Sequence, residues 1–197
     1  MRAGLVVFDG VEELDAIAPY EVLRLGAKAG GDVSCRLLHP RGGARVRASH
    51  GLEFATDGPL EEGLDVVVVP GGGWVGRGAT GAWAEAERGD WLEWLAAAQH
   101  GGALVASVCT GALLVARAGL AAGRRMATHH LARADLAALG AVVVEERVVD
   151  DGDLVSCGGV TSGIDLALWL LERECSAALA TAVADEIEYR PERPHPR

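Results

Sequence analysis

The chain has 197 residues, 50% of them hydrophobic and 23% charged, with a formal net charge of -10. That length suits one globular domain with a sizeable core, and the composition excludes a disordered or fibrous chain. The acidic balance argues against a nucleic-acid partner, which needs a basic face, and no apolar run approaches the roughly 20 residues that span a bilayer.

The N-terminal segment Met1 to Phe8 is too short in apolar residues for a signal peptide and reads as a strand from Leu5 to Phe8. Leu14, Ile17, Ala18, Val22, Leu25 and Ala29 fall at helical spacing, which predicts a helix over 14–29. Val33 to His39 is the next strand. Val46 to Phe54 reads as a hairpin around Ser49-His50-Gly51. Leu64 to Val69 is almost wholly apolar, as expected of a parallel strand covered on both faces, and runs into Pro70-Gly71-Gly72-Gly73. Trp83 to His100 is predicted to be one amphipathic helix.

Gly101 to Val108 reads as a buried strand, and Thr110 to Ala118 as a helix ending at Gly119. Ala141–Val144 and Glu146–Val149 are predicted strands. Leu154 to Cys157 returns from the Asp150–Asp153 turn. Ser162 to Ala184 is helical in two pieces, and residues 190–197 form a proline-rich tail expected to be loosely held. Strands alternating with helices imply an α/β fold: a three-layer sandwich with a mostly parallel central sheet, and a single domain over residues 1–189. Ligands of such sheets sit beyond the carboxyl ends of the strands.

Cys109 lies between the strand and the helix start, in Ser107-Val108-Cys109-Thr110-Gly111. This is the setting of a nucleophile elbow with cysteine in place of serine. The helix N-terminus favours a thiolate there, so an acidic thiol is expected. Of the other three cysteines, Cys35 and Cys175 read as core, and Cys157, which ends a strand before Gly158-Gly159, reads as structural or as lining the same pocket. No paired C-x-x-C spacing occurs, which fits a reduced, cytoplasmic protein. The backbone amides of Thr110 and Gly72 are candidate donors to charge that builds up beside the nucleophile.

Asp15, between apolar residues just after the first strand, is either a helix cap or a pocket carboxyl with a raised pKa. His129 and His130 are candidates for a Cys-His pair, or else polar residues at a strand end. No third and fourth ligand accompany them, so no metal site is expected. Asp165 either orients a histidine or offsets a helix dipole.

Five ordered stretches, 14–23, 68–72, 107–111, 119–129 and 158–165, together resemble the ThiJ/PfpI superfamily. The resemblance implies its flavodoxin-like, class I glutamine-amidotransferase-like fold. Many members carry glutamate at the position of Asp15. The isonitrile hydratase branch carries aspartate there, followed by the Ser-Val-Cys-Thr-Gly elbow, as this chain does. Related sequences usually have tryptophan where this one has His130.

The resemblance implies a cofactor-independent hydro-lyase that converts an isonitrile to an N-substituted formamide. Cys109 would be the nucleophile, Asp15 would manage the proton, and the Thr110 and Gly72 amides would hold the polarised group. His129 is a lesser candidate. The partners so implied are a small-molecule substrate and a second copy of the chain in a homodimer, with no nucleic acid and no membrane. Two alternatives stand beside it. One is a glyoxalase-type enzyme acting on an α-oxoaldehyde. The other is a non-catalytic sensor, related to the domains of AraC-type regulators, whose Cys109 oxidises.

Overall fold

A computed structural model describes residues 1–194. The chain runs β1 (Arg2–Val6), α1 (Glu13–Lys28), β2 (Ser34–His39), β3 (Arg45–Arg47), β4 (Glu53–Ala55), β5 (Gly58–Pro59) and β6 (Val66–Val69). It continues through α2 (Ala82–Arg88), α3 (Leu92–His100), β7 (Leu104–Val108), α4 (Gly111–Arg117) and β8 (Arg125–Met126). A 3-10 turn at His130–Ala132 leads into α5 (Arg133–Ala138). Then come β9 (Val142–Val143), β10 (Val148–Asp150), β11 (Leu154–Cys157), α6 (Ser162–Glu174) and α7 (Ala177–Glu186).

The main sheet has seven strands in the order β10-β11-β7-β6-β1-β2-β5. All its pairings are parallel except β10 with β11. Helices α1, α6 and α7 pack together, and α2, α3 and α5 each pack on α4. The two helical groups sandwich the sheet. This explains why β6 is four valines, all fully buried, and why every residue of β7 is buried. A parallel strand covered on both faces has no solvent side to make polar.

The strand order reverses between β1 and β6. From β1 the chain moves outward to β2 on one side, and from β6 outward to β7 on the other. The turns leaving the carboxyl ends of β1, β6 and β7 therefore open onto one crevice. These are the turns that carry Asp15, Gly72 and Cys109.

The expected hairpin forms as β3 and β4, paired antiparallel. The segment Ser162–Ala184 divides as expected, into α6 and α7. The single helix expected over Trp83–His100 is two helices instead. Gly89 closes α2 in a left-handed conformation (φ 67°), a conformation that glycine adopts without strain. Arg41, Arg88 and the Trp91 indole then converge on the buried Glu85 carboxylate, and Trp91 precedes α3.

The proline-rich tail, expected to be loosely held, is tied down as far as Arg193. The Glu192 N–H donates to the buried Asp165 carboxylate (2.7 Å), and Arg193 bonds Glu172 (2.9 Å). Residues 195–197 of that tail lie outside the described residues.

Candidate active site

The elbow begins with geometry. β7 runs into α4 with a single reversal at Cys109, whose φ is 56°. A left-handed conformation disfavours an L-residue by about 1–2 kcal/mol, so the surroundings must hold it. Two hydrogen bonds do so. The Cys109 N–H donates to the Gly158 carbonyl (3.0 Å), and the Thr128 hydroxyl donates to the Cys109 carbonyl (2.8 Å). Gly111 completes the turn. A Cβ at that position would collide with the Val69 carbonyl, so only glycine lets α4 start this close to β6.

Asp15 sits in the first turn of α1 and is fully buried. Glu12, not Asp15, is the N-cap of α1, and the helix has no side-chain cap. The capping alternative for Asp15 therefore falls. Its Oδ2 accepts the Gly71 N–H (3.1 Å), while no nitrogen or oxygen donor reaches Oδ1. The carboxyl also meets the Cys109 thiol. Burial raises its pKa to about 7, and the nearby charge of Glu12 adds to the rise.

Cys109 is 4% exposed. Burial pushes its thiol up to about 12, and the Asp15 charge pushes the same way. The backbone N–H groups of Val160 and Thr110 both point at the sulfur and oppose the rise. The expected acidic thiol is thus overturned. Desolvation in the packed interior outweighs two amides and the start of a seven-residue helix.

The Thr110 amide points at the Cys109 sulfur. The Gly72 amide does not. It donates to the Thr110 hydroxyl (2.9 Å), so it is already engaged. The glycine loop acts as a clamp: Gly71 holds Asp15 and Gly72 holds Thr110. The loop is itself fixed by the Glu12 N–H, which donates to the Gly71 carbonyl (2.9 Å). Val160 was missed by sequence reasoning. Its signal is position: it follows Gly158-Gly159 beyond the end of β11, the strand beside β7.

His129 is half-buried at the edge of this site, with its ring against Gly159. Its Nδ1 accepts the Leu131 N–H (3.3 Å), and its ring lies 4.3 Å from that of the exposed His130. Partial burial lowers its pKa, helped by the charges of His130 and Arg133. The expected strand end at this position is in fact a 3-10 turn.

The remaining expectations divide. Cys35 and Cys157 are buried, whereas Cys175, read as core, is exposed just past α6. Asp165 orients no histidine. Its carboxylate accepts from Arg147 (2.6 and 2.9 Å) and from the Tyr189 hydroxyl (3.0 Å). Trp74 is a core residue, edge-on to Trp83 at 5.2 Å, and its indole donates to Asp135 (2.6 Å). Glu12, Glu13 and His50 bring ligand atoms within 4.8 Å of one another. Their carboxylate oxygens, however, already accept from Ser49, His50 and Leu52.

Comparison with known proteins agrees with this architecture. The model of the DJ-1/PfpI family matches residues 1–173. The chain belongs to the DJ-1/PfpI family. An isonitrile hydratase of Pseudomonas putida is 35% identical over 98% of this chain and 81% of its own length. The protein dj-1beta of Drosophila melanogaster is 29% identical over 87% of this chain and 88% of its own. The crystal structure of Drosophila melanogaster DJ-1beta superimposes with a TM-score of 0.84, at 24% identity, covering 96% of this chain and 98% of that one. Among the described residues, no helix is long and apolar enough to cross a membrane.

Proposed function

We propose that this DJ-1/PfpI chain is a cofactor-independent hydro-lyase that hydrates an isonitrile, R–N≡C, to the formamide R–NH–CHO. The observation that carries this reading is the buried pair of Asp15 and Cys109. A carboxyl with a pKa of about 7 faces a thiol that keeps its proton, and one carboxyl oxygen, Oδ1, has no hydrogen-bond donor. Such a pair exchanges a proton without involving water. The resemblance to an isonitrile hydratase supports the same reading.

Asp15 takes the thiol proton as the sulfur attacks the terminal isonitrile carbon. It then delivers that proton to the same carbon, giving the thioimidate R–N=CH–S–Cys109. Water adds to this carbon, the nitrogen gains a proton, and the carbon–sulfur bond breaks. The formamide leaves and the thiol is restored. The Thr110 and Val160 amides stabilise the sulfur while it carries negative charge. Thr110, held by Gly72, is a positioning residue as well as an amide donor.

Shape favours this substrate over an α-oxoaldehyde. The reacting carbon of an isonitrile is the bare end of a linear group. It suits the approach to a cysteine that is only 4% exposed, whereas a dicarbonyl must bring two oxygens with it. The pair is proposed to work in a cytoplasmic homodimer, which sedimentation of the purified protein tests.

The decisive experiment incubates purified protein with a simple alkyl isonitrile and, separately, with methylglyoxal, and identifies the products by mass. Formamide is expected from the first. Cys109→Ala should abolish its formation, and Asp15→Ala should cut the rate by about 10²–10⁴, the usual worth of a positioned acid–base group. Full activity in the Cys109 variant would refute the covalent scheme.

A further inference from the structure

Cys157 is a buried thiol beside the catalytic pair that the reaction scheme leaves unused. β11 ends at Cys157 where β7 ends at Val108, and these two residues are partners in the parallel ladder. Cys109 is the next residue along. Ideal strand spacing of about 4.8 Å and a rise of about 3.3 Å per residue would put the Cα atoms of Cys109 and Cys157 about 5.8 Å apart. Disulfides span Cα separations of about 4.4–6.8 Å. The Cys109 N–H, which binds the two strand ends together through the Gly158 carbonyl (3.0 Å), also lies against the Cys157 sulfur. Exposure sets the order of events. Cys109 is 4% exposed and Cys157 is 0% exposed, so an oxidant meets Cys109 first.

We propose that Cys109 and Cys157 form a reversible dithiol–disulfide pair, in which a hydroperoxide oxidises Cys109 and Cys157 resolves it. In the first step the Cys109 sulfur attacks the peroxide oxygen. The O–O bond breaks, the sulfur becomes a sulfenic acid (Cys109–SOH), and the peroxide is reduced to an alcohol, or to water where it is hydrogen peroxide. In the second step the Cys157 sulfur attacks the sulfenic sulfur. The S–S bond forms, the S–O bond breaks, and the hydroxyl leaves with the Cys157 proton as water. An external dithiol reverses the change by exchange. The disulfide would spare Cys109 from the irreversible higher acids and would switch off the nucleophile while it lasts.

The test needs no substrate, so its outcome is independent of the isonitrile reading. Full-length protein is treated with a slight excess of hydrogen peroxide, alkylated under denaturing conditions, digested and mapped by mass. The expected result is a linked pair of peptides containing Cys109 and Cys157, with a loss of about 2 Da that dithiothreitol restores. The Cys157→Ala variant is expected instead to gain about 32 Da at Cys109, and dithiothreitol should not remove it. Should that variant fail to fold, the wild-type map decides alone. Sulfinate on Cys109 with Cys157 still alkylated would overturn the proposal. A Cys109 that resists peroxide, or links to Cys175, would overturn it equally.

Discussion

Replacing Asp15 with asparagine should make the protein more stable at alkaline pH while it destroys the proton chemistry. Asparagine keeps the shape of the carboxyl and can still accept the Gly71 N–H, but it cannot ionise. The carboxyl of Asp15 moves from an ordinary 3.8 to about 7 on folding, chiefly because burial penalises its charge. Below 3.8 folded and unfolded chains both hold the proton, and there is no penalty. Between 3.8 and about 7 the folded chain keeps a proton that the unfolded chain has lost, so stability falls as pH rises. Once the carboxyl is fully charged the loss reaches about 4 kcal/mol. Integrated between pH 5 and pH 8, it amounts to about 2.5 kcal/mol. Urea unfolding followed by tryptophan fluorescence at these two pH values measures the difference. The Asp15→Asn variant should gain on the wild type by that amount as pH rises. A gap that stays constant from pH 5 to pH 8 would show that Asp15 does not carry a folding-dependent proton, and the acid–base pairing would go with it.

The same proton governs rate. The Asp15 carboxylate must be free to accept the thiol proton, so kcat/KM for isonitrile should rise with pH through a single limb near 7, the value for the free carboxyl. A rate that is flat between pH 5.5 and pH 8.5 would contradict this. His129→Asn should change kcat by less than about tenfold, because the ring packs on Gly159 and its Nδ1 accepts the Leu131 N–H; a loss comparable to that of Asp15→Ala would place it among the proposed catalytic residues. Glu85→Ala should lower stability by about 1–3 kcal/mol in urea unfolding, since it leaves the buried Trp91 indole without its acceptor and removes the bonds to the partly exposed Arg41 and Arg88. A loss under about 1 kcal/mol would mean that those groups find water instead.

Much of the fold was legible because its signals are local. An all-valine β6 and a buried β7 followed by glycine turns read directly as parallel strands, and the two-piece helix after Thr161 was visible from its spacing. Other features depend on partners far away in sequence. The break at Gly89 has a local signal in the glycine itself, but the bond from Arg41 to Glu85 that braces it comes from the loop after β2, outside any window around Trp83–His100. The tail is fixed by Asp165, whose companions Arg147 and Tyr189 lie 18 and 24 residues away. Short pieces such as β5 and β8, two residues each, exist only as pairings and have no pattern of their own.

The site shows the same division. The elbow at Cys109 and the glycine loop were readable as geometry, because each is a strand, a turn and a helix start in sequence. Their hydrogen bonds were not. Whether Gly72 offers its N–H to a ligand or to Thr110 depends on how far β6 and β7 stand apart, and the structure brings the Thr110 hydroxyl within 2.9 Å. Val160 enters only because β11 lies beside β7.

The reversal over the thiol follows from that packing and changes the chemical reading. An exposed low-pKa cysteine would rest as a thiolate and react with any electrophile that met it. Here Cys109 is pushed up to about 12 by burial and by Asp15, and Asp15 is itself pushed up to about 7. Each group raises the other because the interior cannot hold both charges at once, so the pair behaves as one titrating unit that keeps a proton near neutrality. Ionising the sulfur then means transferring its proton to the carboxyl, not releasing it to solvent. A thiol in such a pair is neutral at rest, and its reaction with any electrophile, isonitrile or peroxide, requires that its proton pass to the carboxyl. The helix start contributes little to this. The raised carboxyl, and the glycine loop that holds it against the sulfur, determine when the thiol reacts.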